Sequence, residues 1–396
     1  MTAPSSAPAE AEPDCRLVAR PIAFDAIPRS TWDALLARTP AATPFDRWTF
    51  HRAWWDAYGS TAHPEYVLVE AAGDAADVRG IVPLMHRHEV EAGDAATATV
   101  LRQTRPPATA TAVPPTAKAV FFGASYHADY ATVLSAADDL DAVCTALATY
   151  LAGPPDPTHG SQPWDVVDLR RLRVDDPALP ALEAAFRALA PAAGWSVVQE
   201  QEDVCPVVSL PAVGDWEAYL DSLDKKARHE IRRKIRRAEA AGPNAFALVE
   251  PTPEAIDAFI DLHQARWGAE GLFPPTPGGD RSRRFVHRLA ELEMAEGADR
   301  QLELGRYAVG ERVVLAGIAF EDEATCYFYN AGIDPAARDL SPGVTGTAAF
   351  IRGRLESGRC RRFDFLRGDE PYKYEWGAVD EPIFRLLVTR GGTDGR

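Results

Sequence analysis

Cysteine is scarce in this 396-residue chain: Cys15, Cys144, Cys205, Cys326 and Cys360 are scattered, and none forms a C-x-x-C pair. Such spacing excludes a disulfide framework and a thiolate zinc site, and predicts reduced thiols in a cytoplasmic protein. Long apolar runs are missing as well. None approaches the ~18–20 residues that a bilayer span requires, so a soluble protein with no membrane contact is expected. Positive charge is in deficit, with 42 Lys and Arg against 58 Asp and Glu and a net charge of -16. That balance argues against nucleic acid as an obligatory ligand of the whole surface. No G-x-S-x-G is present, and Ser125, His127 and Asp129 lie too close along one segment for a hydrolase triad. His86 and His88 have no third ligand in reach by sequence, so no metal is expected. The opening MTAPSSAPAEAEPD lacks a basic and an apolar region, and reads as a disordered tail rather than a signal peptide.

What is present is an ordinary globular composition, 46% hydrophobic and 25% charged, over a length that predicts two domains. Arg16–Arg20 reads as a strand and Thr31–Ala37 as a helix behind Ser30. Residues 44–59 form a helix with an aromatic stripe of Trp48, Trp55 and Tyr58. A hairpin follows over Glu65–Ala71 and Val78–Val90, with Pro83 bending its second strand. Residues 95–118, rich in Ala, Thr and Pro, read as a long loop. Strands at Ala119–Gly123, Trp164–Leu169 and Trp195–Gln201 then alternate with helices at Ala136–Leu151 and Ala178–Ala190, and Val204–Leu210 reads as a connecting strand.

The second half opens on helical Trp216–Ser222 and a strongly basic helix, Lys225–Ala241, stopped by Gly242-Pro243. Two helices lead to a three-stranded meander over residues 301–333. The loop ARDLSPG enters a helix at Val344, and the strands Arg362–Leu366 and Ile383–Thr389 follow. The fold class expected is α+β: two domains of mixed, mostly antiparallel sheets flanked by helices, around a central cleft. The boundaries are a tail over 1–14, a first domain over 15–203, a second over 204–390 and a tail over 391–396.

Two stretches carry chemistry. Between the strand Phe363–Leu366 and Trp376 stand Arg367, Asp369, Glu370, Tyr372, Lys373, Tyr374 and Glu375, a density of acids, bases and phenols that a structural turn does not need. Ser341-Pro342-Gly343 heads a helix whose N-terminus is a natural anion site, or equally a plain Ser cap with Pro at the first position.

These motifs, SPG at 341–343, Asp364-Phe365, RGDEPYK at 367–373 and Trp376, together with LDKKARHEIRRKIRRAEAAG at 223–242 and PFDRWTFHRAWWDAYG at 44–59, resemble the cellulose-biosynthesis acetyltransferase group. That group consists of tandem GNAT-fold proteins related to Fem peptidyltransferases. The resemblance spans roughly residues 40–390. It implies two GNAT-like domains, the first degenerate, and an acyltransferase of cytoplasmic, bacterial type. The donor it implies is acetyl-CoA or another acyl-CoA, with no metal, and the acceptor an amine of a small molecule, sugar or peptide. A Fem-like enzyme using aminoacyl-tRNA and a non-catalytic binding protein remain alternatives.

The resemblance assigns Asp369 and Glu370 to the amine proton, Tyr372 or Tyr374 to the leaving thiolate, and Lys373 to a phosphate or carboxylate. Coenzyme contacts would come from Tyr329, Asn330, Ala331, Arg338, Ser341, Pro342, Gly343, Val344 and Thr345, with an oxyanion donor near Asn330 or Ala331. Where the usual coenzyme loop reads Arg/Gln-x-x-Gly-x-Gly/Ala, this chain has Arg338 followed by Ser341-Pro342-Gly343. Asp129, Tyr130, Asp364, Arg367 and Trp376 are expected at the acceptor, and Arg228 and Arg232 are the basic-helix side chains expected to reach inward.

Overall fold

The computed structural model describes residues 16–87, 110–114, 116–124, 126–155, 161, 163–211 and 214–391. Its strands are β1 (Leu17–Pro21), β2 (His63–Pro64), β3 (Val67–Ala71), β4 (Asp74–Val82), β5 (Leu84–Arg87), β6 (Ala119–Phe122), β7 (Leu134–Ser135), β8 (Val166–Arg173) and β9 (Trp195–Ser209). The second half adds β10 (Asn244–Val249), β11 (Leu302–Val309), β12 (Arg312–Glu321), β13 (Thr325–Ile333), β14 (Arg362–Asp364) and β15 (Val379–Arg390). The helices are α1 (Arg29–Leu36), α2 (Trp48–Tyr58), α3 (Leu140–Ala152), α4 (Ala178–Ala193), α5 (Trp216–Ser222), α6 (Lys225–Ala241), α7 (Pro253–Trp267), α8 (Pro277–Ala295), α9 (Pro342–Ser357) and α10 (Pro371–Tyr374).

A four-stranded sheet has the order β1-β3-β4-β7. An eleven-stranded sheet runs β10-β11-β12-β13-β14-β9-β15-β8-β6-β5-β2 through both halves. The expected mixed, mostly antiparallel α+β architecture is present; among the described pairs only β13 with β14 and β6 with β8 are parallel. Pro83 ends β4, and its carbonyl accepts the Gly123 N–H instead of continuing the ladder. Two features differ from the sequence reading. Trp195–Gln201 and Val204–Leu210, expected as separate strands, are one strand, and the last strand is twelve residues long. β9 and β15 pair along nearly their whole lengths, and β15 also pairs with β8. The junction expected at 203/204 thus lies inside β9. Most of the loop expected over 95–118 falls outside the described residues.

Side-chain alternation on β13 separates two layers. Tyr327 and Tyr329 face a core made by α7, α8 and, from the first half, Phe45 and Phe50. Phe328 faces the opposite core with Phe350 of α9 and Phe363. α7 begins at Thr252, whose hydroxyl accepts the Ala255 N–H, and stops at Gly268, whose φ of 54° suits glycine. It lies so close to β13 that a Cβ on Gly332 would stand 2.3 Å from the His263 nitrogen. Only glycine fits there.

Polar groups are also buried within the first half. Asp46, 2% exposed, accepts from the Thr43 N–H at 2.8 Å and from the Thr43 hydroxyl. Burial pushes its carboxyl up to about 7. The folded chain therefore holds a proton that the unfolded chain releases near 3.8, and stability falls as pH rises between those values. His51, lowered to about 3 by burial, acts in the opposite sense over the acid side of that window. Asp46→Asn is expected to flatten the loss of melting temperature between about pH 5 and about pH 7, since a single group contributes at most about 1.4 kcal/mol per pH unit. An unchanged slope in a thermal-melt series would show that Asp46 is ionised in the fold.

Candidate active site

β13 and β14 pair in parallel for three residues only, the last pair being Tyr327 with Asp364. Beyond it the strands part for a clear reason. The chain after β14 keeps bonding to β9, with the Phe365 N–H on the Pro206 carbonyl and the Gly368 N–H on the Val204 carbonyl, while β13 stays with β12. The Asp364 carboxylate fixes the turn by accepting the Leu366 N–H at 2.7 Å, Leu366 having a φ of 58°. The Tyr130 hydroxyl, from the first half, donates to its other oxygen at 2.7 Å. Buried as it is, Asp364 is pushed up to about 6, chiefly by burial.

The separation leaves an open edge along β13 and a cleft of about 670 Å³. Phe328, Tyr329, Asn330 and Ala331 form one wall, and Phe365, Leu366 and Arg367 the other. The head of α9 closes one face through Arg338, Ser341, Pro342, Gly343 and Val344; Arg266 and Trp267, the end of α7, border it as well. Asp129, Glu370, Tyr372 and Lys373 complete the rim. Residues from widely separated segments are thus brought to one cavity, of a size usual for small-molecule sites.

Charges in the cleft are mostly paired. Arg367 meets Asp129 at 3.3 Å across the two halves. The Lys373 ammonium, 3% exposed, donates to the carbonyls of Leu366, Arg367 and Gly368 at 2.9–3.0 Å and forms an ion pair with Glu370 at 2.8 Å. Expected as a ligand for phosphate or carboxylate, Lys373 is instead spent inside the loop, holding its carbonyls. Tyr372 stays 41% exposed on the rim, against the ring of Phe365. Burial first, then the Glu370 carboxylate, push its phenol up to about 12, with Arg266 opposing.

At the head of α9, Ser341 takes a left-handed conformation (φ 52°) and its carbonyl accepts from the Val344 and Thr345 N–H groups. Pro342 has no N–H, and the Gly343 N–H meets no backbone carbonyl, with open space where a Cβ would stand. A single backbone donor is therefore available to an anion, fewer than a glycine-rich loop offers. Side chains supplement it: Arg237 of α6 donates to the Ser341 hydroxyl at 2.6 Å, and Arg338 points no bond at any described residue.

Other expected site residues sit elsewhere. Arg228 and Arg232 turn to α5, pairing with Asp221 and Glu217, because the buried stripe of Ile231 and Ala238 directs them away from the cleft. Trp376 is buried in the core under Tyr219. Tyr374 donates to Asp380, outside the cleft, and Asp369 is exposed beyond its lining. Thr345 is buried, its hydroxyl on the Ser341 carbonyl at 3.2 Å. Tyr130 lies behind the wall with Asp364. Sequence reasoning missed Arg237, Arg266 and Trp267. His127, weighed there only beside Ser125 and Asp129, bonds Tyr58 at 2.8 Å and Tyr329 at 3.1 Å and so ties the first half to β13. Ser125 and His88 lie outside the described residues, among which no metal-binding cluster occurs and Cys144, Cys205, Cys326 and Cys360 are free and buried. No described helix is long and apolar enough to cross a membrane.

Residues 225–374 match the family model described as Acetyltransferase (GNAT) domain. Among solved structures, FemX aligns over 91% of this chain and 96% of its own, at TM-score 0.54 and 12% identity. A conserved protein of unknown function from Bacteroides thetaiotaomicron VPI-5482 aligns over 92% and 98%, at TM-score 0.51 and 13% identity. At these identities the likeness is one of fold. No curated protein matches the chain. The second half thus carries a GNAT acyltransferase domain, and the chain is an enzyme of the acyltransferase class.

Proposed function

We propose that the protein transfers an acyl group from an acyl-CoA, acetyl-CoA first among them, to an amine bound in the same cleft. The observation that carries this reading is the open edge of β13 facing the head of α9. A pantetheine-like arm can lie along that edge, while its phosphates meet the Gly343 N–H, Arg338 and Arg237. Those residues fit a polyphosphate by charge and by the open space at Gly343.

Transfer proceeds in a ternary complex. The amine nitrogen attacks the thioester carbonyl and Glu370 takes its proton; backbone donors near Asn330 and Ala331 face the developing oxyanion. As the C–S bond breaks, the sulfur receives the Tyr372 proton, a phenol that stays protonated throughout the physiological range. Positioning of the two substrates supplies much of the rate.

Calorimetric titration with acetyl-CoA tests the donor. One-to-one binding is expected, weakened about tenfold or more in Arg338→Glu, because one cation–phosphate contact becomes a repulsion. Binding of aminoacyl-tRNA in place of acetyl-CoA, falling steeply with salt, would make the donor an aminoacyl-tRNA.

A further inference from the structure

The two faces of β13 separate the substrates. α9 and its head lie on the face of Phe328, where the proposed donor phosphates enter; α7 lies on the opposite face, with Tyr329 and the first half. On that second face stands Arg266, at the last turn of α7. Its guanidinium is 4.6 Å from the Trp267 ring centroid, held by a cation–π contact. Among the described residues no carboxylate or carbonyl hydrogen-bonds to it. It lines the same cleft as Tyr372 and Glu370, the pair given the proton transfers above. Every other charge on the cleft apart from Arg338 is matched: Arg367 by Asp129, Lys373 by Glu370, Asp334 by Arg312.

We propose that the acceptor is an anionic amine, a molecule carrying a carboxylate or phosphate close to its nucleophilic nitrogen, and that Arg266 takes that anion while Glu370 faces the nitrogen. The inference rests on the acyl-transfer reading and names the acceptor class of the same cleft. A neutral amine gains nothing from the exposed Arg266 guanidinium beside the reacting groups. An anion matches it through a planar fork that accepts two oxygens. Trp267 holds the guanidinium in place beforehand, which lowers the ordering cost of binding.

The test is a calorimetric titration of two probe pairs that differ in the anion alone: O-phosphoethanolamine against ethanolamine, and β-alanine against β-alaninamide. Each is measured with and without acetyl-CoA. Wild type is expected to bind at least one anionic member about tenfold or more tightly than its neutral partner, the usual gain from a charge-assisted bond. The pair that discriminates identifies phosphate or carboxylate. In Arg266→Gln the ratio should fall to near one, with acetyl-CoA affinity retained; Arg266→Lys should recover part of it, as a point charge without the fork. Equal affinity within both pairs in wild type, including failure of every probe to bind, overturns the proposal, as does a preference that survives Arg266→Gln. Acetyl-CoA binding and transfer without anion preference would refute only the acceptor class. Anion preference without acyl-CoA binding would instead refute the donor assignment.

Discussion

Lys373→Met is expected to lose about a hundredfold or more in turnover and several kcal/mol of stability. The ammonium serves three carbonyls of residues 366–368 and the Glu370 carboxylate from a site 3% exposed. A methionine of similar length fills the space but donates nothing. Each buried acceptor left without a partner costs about 1–3 kcal/mol. The loop those carbonyls belong to carries Arg367 and leads into Glu370 and Tyr372, so its relaxation moves both groups given proton transfers. A displacement of about 1 Å at reacting atoms is enough for a hundredfold loss. Urea denaturation and steady-state kinetics check both parts. Wild-type stability and turnover in the variant would return Lys373 to the role of a dispensable rim charge.

Tyr372→Phe is the second large effect, and it separates chemistry from architecture. The variant keeps the ring against Phe365 and removes only the hydroxyl. If that hydroxyl protonates the leaving thiolate, kcat should fall about a hundredfold, a usual loss for a general acid, while acyl-CoA affinity and stability stay near wild type. The pH profile gives the sign. A phenol pushed up to about 12 stays protonated until strongly alkaline pH, so wild type should show no alkaline loss from this group at pH 7 to 10. A Tyr372→Phe enzyme with kcat within about threefold of wild type would give the proton to water instead.

Much of this site was legible because it is local. The strand Phe363–Leu366, the acid-rich segment after it and the Ser341-Pro342-Gly343 helix start are contiguous in sequence, and strand alternation and capping rules reach that far. The resemblance then placed them in one domain, which the match over 225–374 supports. What the sequence could not disclose depends on packing across the fold. Ile231 and Ala238 mark the buried stripe of α6, but not which flank meets the head of α9; that contact selects Arg237 and turns Arg228 and Arg232 away. Arg266-Trp267 carries no motif, being an ordinary helix end before a glycine, and matters only because α7 lies tight on β13 at Gly332. His127 drew notice as a neighbour of Ser125 and Asp129, whereas its partners Tyr58 and Tyr329 are 69 and 202 residues away. Lys373 looked like a free cation because its carbonyl partners become visible only once Leu366 and Gly368 turn with positive φ.

The central claim is direct transfer at the open edge of β13, and thiol release under single-turnover conditions tests it most directly. Enzyme mixed with acetyl-CoA alone should release no burst of free thiol. Adding an amine acceptor should release one thiol for each acyl amide formed. A stoichiometric burst without amine would mean a covalent acyl-enzyme. No thiol with any amine, together with transfer from aminoacyl-tRNA, would mean that the cleft serves another donor.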